Sequence, residues 1–71
     1  MINSQAIKAR MKELGVTQKD LAERLGVAKP TVSQKINGVR PLYLDEAEII
    51  AEAISLTAAE FSQIFFAKEI A

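Results

Sequence analysis

The sequence lacks cysteine and histidine, and both absences exclude whole classes of site. Without cysteine there is no disulfide and no thiolate metal site, and without histidine the commonest general base and metal ligand is missing. No glycine-rich phosphate loop is present, and the carboxylates gather at helix starts rather than in catalytic pairs. We therefore expect no enzymatic activity, no bound metal and no cofactor.

Long apolar runs are also missing, and the longest are far too short to span a membrane. Met1 is followed by a polar helix start rather than by a basic region and an apolar segment, so we expect no signal peptide. A chain of 71 residues has the size of one small domain, near the lower limit for a single hydrophobic core. These features predict one intracellular domain over residues 1–71.

The chain has no net charge, but its charges are unevenly distributed. Residues 1–40 carry eight basic and three acidic side chains, whereas residues 41–71 carry one basic and six acidic side chains. A neutral protein does not ordinarily suggest a nucleic-acid partner. The basic half predicts an electrostatic footprint for nucleic acid, and a solvated surface with chance patches is the alternative.

Residues 17–38 contain two short helical patterns with almost no linker between them. Thr17 and Asp20 form an acidic variant of the capping box, and the apolar residues that follow share one helix face. Gly26 ends this first pattern, because glycine accepts the left-handed conformation that other residues resist. A second pattern covers residues 29–37, with a proline in its first turn, where a missing N–H is tolerated. Two helices joined so closely must cross steeply, which is the helix-turn-helix arrangement.

A set of positions in this stretch has the residue types and spacing of a known family: Gln18, Leu21, Ala22, Leu25, Gly26, Val27, Val32, Ser33, Ile36, Asn37 and Gly38. With these residues the chain resembles the Cro/C1-type helix-turn-helix family, which includes lambda repressor and Cro. The resemblance covers nearly the whole chain. It implies an all-α, five-helix, lambda repressor-like DNA-binding domain with the helix-turn-helix at helices 2 and 3.

The sequence departs from the family pattern at two positions. Ala28 stands at the cap of the second motif helix, where a hydroxyl or amide side chain would be stronger. Lys35 stands where an apolar residue is usual. Either its stem packs while its ammonium reaches solvent, or that edge of the helix is more exposed here.

Helical periodicity predicts three further helices outside the motif. The first presents Leu14 on its core face. For its Arg10, the resemblance implies a pair with an acidic residue of the second or third helix, for which Glu23 is available, and a solvated charge is the alternative. Leu44 is expected to enter the core at the start of the fourth helix, and a full capping box opens the fifth. The expected bounds are Ser4 to Leu14, Leu44 or Asp45 to Ile54, and Thr57 to about Lys68.

The resemblance also implies which residues contact DNA. Gln18 matches a glutamine that binds a phosphate and braces the start of the recognition helix. The positions that face the floor of the groove are matched by Lys29, Pro30, Ser33 and Gln34. Positions near the DNA backbone are matched by Thr31 and Asn37. The complete set of expected DNA contacts is Gln18, Lys29, Pro30, Thr31, Ser33, Gln34, Lys35, Asn37 and Arg40.

The chemistry of the second motif helix agrees with this placement. Its polar side chains share one side, whereas Val32 and Ile36 lie on the other. Lys29 can donate to guanine, and Gln34 can bond adenine through two hydrogen bonds. Arg40 lies just beyond the helix, where a chain would run beside the DNA backbone, and a loop charge without a partner is the alternative.

These observations predict a sequence-specific transcriptional regulator that binds double-stranded DNA through the major groove and has no membrane partner. We expect a phage or prophage Cro-like repressor on a palindromic operator. It should act as a homodimer that is weak without DNA. Phe66 and Ile70 fall off the core face of the fifth helix and are the expected dimer contact, unless that helix is buried on a broader arc. The same fold also serves antitoxins and protein-binding adaptors, which remain alternatives.

Overall fold

The computed structural model describes residues 2–66, which form five α-helices and no strand. None of the helices in this part of the chain is long and apolar enough to cross a bilayer. The predicted all-α, five-helix architecture is confirmed, although the last helix ends earlier than the expected Lys68, a residue outside the described range. The helices are α1 (Ser4–Leu14), α2 (Gln18–Leu25), α3 (Lys29–Ile36), α4 (Leu44–Ala53) and α5 (Ala58–Phe65).

Capping side chains set the starts of three helices. Asn3 caps α1, because its side-chain oxygen accepts a hydrogen bond from a first-turn N–H. The two capping boxes predicted from the sequence are confirmed, Thr17 with Asp20 at α2 and Thr57 with Glu60 at α5. At α2 the Asp20 N–H donates to Thr17 Oγ1 at 3.1 Å, and the Thr17 N–H donates to Asp20 Oδ2 at 2.9 Å. The hydrogen bond from the Thr17 N–H to the carboxylate, with a further contribution from the Thr17 hydroxyl, holds the pKa of Asp20 below its usual range.

The five helices share one hydrophobic core, in which α2 packs against α3 and α4 and α1 packs against α5. A backbone hydrogen bond of 2.8 Å from Asn3 N–H to the Ile64 carbonyl joins the start of α1 to α5. Two core predictions are wrong, because Leu14 is 49% exposed and Leu44 is 59% exposed. Both residues lie at helix ends, where no neighbouring helix covers them. The buried apolar residues are Ile7, Met11, Leu21, Ala22, Val32, Ile36, Ala47, Ile50, Ala51, Ile54, Ile64 and Phe65.

Arg10 joins α1 to the turn between α4 and α5. Its Nη1 donates to the carbonyl oxygens of Ile54 at 3.3 Å and Ser55 at 3.2 Å, and its Nη2 pairs with Glu60. Ser55 has a φ of 56°, which is rare for a residue with a Cβ, and it shapes the turn that presents these carbonyls. The expected pairing of Arg10 with Glu23 is therefore wrong, because the turn and α5 supply its partners.

The substitution Arg10→Met should lower the free energy of unfolding by about 1–3 kcal/mol, because two carbonyls and a carboxylate lose a charged donor. The exposed Lys12 on the same helix provides the matched control, since Lys12→Met also removes one positive charge. Urea unfolding followed by circular dichroism measures both variants. Equal losses in the two variants would show that Arg10 stabilises only through its charge.

Candidate nucleic-acid interface

The turn between α2 and α3 is tight and is closed by backbone hydrogen bonds. Gly26 adopts the left-handed conformation with a φ of 70°, as its position in the sequence predicted. The N–H groups of Gly26 and Val27 both donate to the carbonyl of Ala22, the latter at 3.1 Å. Ala22 is buried, and its small side chain lets the two helices approach closely. Val32 and Ile36 then anchor one side of α3 in the core.

The opposite side of α3 is polar and accessible. Its first residue follows Ala28, which provides no side-chain cap, and the proline in the first turn fits the helix start. Only Lys35 among the expected DNA contacts is buried. The others are exposed or half-buried: Gln18, Lys29, Pro30, Thr31, Ser33, Gln34, Asn37 and Arg40.

Asn37 ends α3 and is hydrogen-bonded through both atoms of its amide. Its Nδ2 donates to Ser33 Oγ at 3.3 Å, which places these two side chains on one face. Its Oδ1 accepts from Lys8 Nζ at 2.9 Å, so a cation from α1 lies at the end of the recognition helix. Lys8 is not among the contacts expected from the sequence, because helix periodicity gives no indication of a neighbour on α3.

Backbone hydrogen bonds close a turn directly after α3. Gly38 has a φ of 78°, and the N–H groups of Val39 and Arg40 both donate to the carbonyl of Gln34, at 2.8 and 3.2 Å. The Arg40 side chain is exposed. The backbone of Arg40 is therefore held against the last turn of the helix that carries Gln34.

The Lys35 side chain is buried, whereas the sequence suggested an ammonium accessible to solvent or DNA. The residue is only 8% exposed, and its Nζ donates to Glu46 Oε1 at 2.9 Å and to the Pro41 carbonyl at 3.0 Å. The ammonium also lies 5.3 Å from the centre of the Tyr43 ring. Its stem packs as one alternative proposed, but its ammonium binds α4 instead of reaching solvent. The reason is helix geometry, since position 35 follows the buried Val32 by one turn.

The contacts around Glu46 also affect its ionisation. Burial alone would raise the pKa of Glu46, but the Tyr43 N–H and the Lys35 ammonium both donate to its carboxylate and together hold the pKa below its usual range. The carboxylate is therefore charged at neutral pH and forms a real ion pair with Lys35. The ion pair between Arg10 and Glu60 has the same character, because the Thr57 N–H and then Arg10 lower the pKa of Glu60.

Two ion pairs therefore use basic side chains of the first half of the chain to bind acidic side chains of the second half. The pairs are Arg10 with Glu60 and Lys35 with Glu46. Residues 2–66 hold no group of carboxylates placed to bind a metal ion. The remaining basic residues of the first half are all exposed: Lys8, Lys12, Lys19, Arg24, Lys29 and Arg40.

Comparison with known proteins agrees with this geometry. The sequence profile of a family described as Helix-turn-helix matches residues 7–61. The match covers more than half of the chain and contains every expected DNA contact. No curated protein and no solved structure matches the chain significantly.

Proposed function

The chain belongs to the Cro/C1-type helix-turn-helix family of DNA-binding regulators, and from this premise we propose that it represses transcription as a homodimer on a palindromic operator. One observation carries the proposal. The short helix α3 is anchored on one side by Val32 and Ile36 and leaves a polar, accessible side free to enter the major groove. A phage or prophage setting follows from the resemblance to Cro, and DNA binding would place the protein at the bacterial nucleoid.

Base recognition is assigned to the first turns of α3. Lys29 can donate to guanine O6 and N7, and the Gln34 amide can bond adenine N6 and N7. Pro30 offers no donor, but its ring can contact a thymine methyl. Ser33 already accepts a hydrogen bond from Asn37, and its hydroxyl proton stays free to donate to a base or to water.

Phosphate contact is assigned to residues around this helix. Arg40 follows the last turn of α3, and Lys8 reaches the same end from α1 through Asn37. Thr31, Asn37 and Gln18 complete the set of phosphate-side residues proposed from the family pattern. Such contacts set the orientation of the protein on the duplex, whereas the base contacts select the sequence.

The dimer contact is assigned to an apolar groove at the edge of α4 and α5. Phe66 is 57% exposed, and its ring meets the Phe61 ring edge-on at a centroid distance of 5.8 Å. Leu44 is also exposed beside it, so Phe66 forms part of a patch rather than a single exposed side chain. Ile70, the other expected contact, lies outside the described residues. The groove is lined by Ile2, Leu42, Leu44, Ala47, Phe65 and Phe66.

Affinity for DNA should fall steeply with salt although the protein has no net charge, because the exposed cations of residues 1–40 would displace counterions from DNA. Each neutralised phosphate contributes a slope of about −0.9 in log K against log salt. The operator is first obtained by selecting bound sequences from random DNA and is then titrated at several salt concentrations. A flat dependence would contradict the assignment of the basic half to the interface.

Gln34→Ala should relax the base preference at one position of each half-site and should cost about 1–3 kcal/mol on the preferred operator. Arg40→Ala should instead weaken all sequences equally and reduce the salt slope by about 1. Arg40→Lys is the control, because it retains the charge and should retain the slope. If Gln34→Ala and Arg40→Ala both lost affinity uniformly, the division between base and phosphate contacts would be wrong.

Phe66→Glu should abolish self-association and convert cooperative operator binding into weak, independent binding of half-sites. The expected dimer is weak in solution, since a small apolar patch competes poorly with the entropy that association removes. Leu14→Glu is the matched control, because Leu14 is also an exposed apolar residue but lies outside the groove. Sedimentation and operator titration measure both variants, and circular dichroism checks their folding.

A folded Phe66→Glu variant that still dimerises would place the dimer contact elsewhere. A wild-type chain that stays monomeric even on its operator, and that copurifies with a stoichiometric partner protein, would instead favour the antitoxin or adaptor function.

A further inference from the structure

We propose that Lys35 is a positioning residue for DNA binding, which acts by holding the linker 37–43 so that Arg40 is presented to a phosphate. The inference rests on the proposed phosphate contact of Arg40. It gives Lys35 a function in the interface without any contact to DNA. The experiments below separate a failure of the Arg40 contact from a failure of the Lys35 inference.

The linker is held at two points, one on each side of Arg40. On the first side, the Arg40 N–H donates to the Gln34 carbonyl at 3.2 Å. On the other side, the carbonyl of Pro41, the next residue, accepts from Lys35 Nζ at 3.0 Å. Both holding groups belong to α3, so the recognition helix and the backbone of Arg40 form one unit.

A further contact fixes the far end of the linker to α4. Glu46 Oε1 accepts from Lys35 Nζ at 2.9 Å and from the Tyr43 N–H at 3.0 Å. The Lys35 ammonium thus joins the Pro41 carbonyl to the first turn of α4. The Tyr43 ring lies beside the same ammonium at 5.3 Å, where a cation is attracted to its face.

Apolar packing holds the linker at Leu42, which packs against the core, but not at Arg40 or its immediate neighbours. Positions 38–41 are all exposed, and Val39 is 72% exposed. The polar bonds from Gln34 and Lys35 are therefore the contacts that hold the backbone directly beside Arg40. An apolar side chain at position 35 would fill the same space in the core, but it would leave the Pro41 carbonyl without its bond to α3.

The stability of a buried ion pair does not explain this arrangement, since well-packed apolar residues are often equally stabilising in its place. Removal of Lys35 alone would leave the half-buried Glu46 carboxylate without its cation, which complicates a single substitution. The double variant Lys35→Met with Glu46→Gln avoids this problem. Methionine retains much of the stem, and glutamine retains an acceptor for the Tyr43 N–H without the charge.

The test is a double-mutant cycle with Arg40→Ala, measured as operator affinity at several salt concentrations. In the wild-type background, Arg40→Ala should reduce the salt slope by about 1. In the Lys35→Met, Glu46→Gln background it should change the slope much less, and the coupling between the sites should be roughly fivefold in affinity. The double variant should weaken all sequences equally, because the base-reading side of α3 is unchanged.

Arg10→Met is the matched control for loss of stability. It removes the other cation that pairs with a carboxylate of the second half, at a site remote in sequence from the linker. In that background Arg40→Ala should retain its full effect on the slope. If Arg10→Met reduced the Arg40 effect as strongly as the double variant does, Lys35 would act only through general stability, and the proposal would be overturned.

A measurement on the protein without DNA tests separately whether Lys35 holds the linker. Hydrogen exchange of the Arg40 amide in the free protein should be at least roughly tenfold faster in the double variant than in the wild type, because local opening of the linker becomes easier. The near-ultraviolet circular dichroism of Tyr43, the only tyrosine in a chain without tryptophan, should also weaken. Unchanged exchange of the Arg40 amide would overturn the proposal.

The remaining outcomes are also decisive. An equal effect of Arg40→Ala on the slope in both backgrounds would overturn the role of Lys35. No effect of Arg40→Ala in the wild type would disprove the phosphate contact itself, and the amide exchange would then decide whether Lys35 holds the linker. If the double variant does not fold, Lys35→Met alone enters the same cycle, because it still removes the bond to the Pro41 carbonyl, and absence of coupling there overturns the proposal.

Discussion

The burial of one side of α3 is the constraint on which the rest of the structure depends. A helix of eight residues is not stable alone in water, so α3 exists because Val32 and Ile36 are buried against the other helices. That burial requires a close approach of α2, which the small side chain of Ala22 and the left-handed turn at Gly26 permit. It also determines the display of the polar side, because an anchored helix cannot rotate to hide it. The same packing that stabilises the domain therefore orients the side chains proposed to read DNA.

The uneven charge of the chain has two uses in this fold. The sequence pattern alone assigns the positive half to nucleic acid, but Arg10 and Lys35 bind Glu60 and Glu46 instead. These pairs join the first three helices to the last two, so part of the charge asymmetry is complementary within the molecule. Within residues 2–66, the remaining exposed cations all lie in the first half of the chain. The surface proposed to bind DNA therefore uses fewer cations than the composition of the first half suggests.

Local signals predicted most of the fold, and long-range contacts account for what they missed. Capping residues such as Thr17 and Asp20, and the glycine at position 26, act over a few residues and can be recognised in any chain that contains them. The partners of Arg10 lie in a turn and a helix far along the sequence, so no local pattern distinguishes Glu60 from Glu23. Lys8 was missed at the site for the same reason, since its contact with α3 appears only once the helices are packed.

Lys35, which departs from the family pattern, joins the hydrophobic core to the surface proposed to bind DNA. A side chain at this position is buried by the periodicity of α3, and an apolar residue would satisfy that burial without any charge. A lysine is acceptable there only because Glu46 lies within reach, since a buried ammonium without a partner is costly. Conversely, Glu46 with an apolar residue at position 35 would keep only its bond from the Tyr43 N–H. The two positions therefore constrain each other, and the bond that their pairing adds to the Pro41 carbonyl falls on the residue next to Arg40.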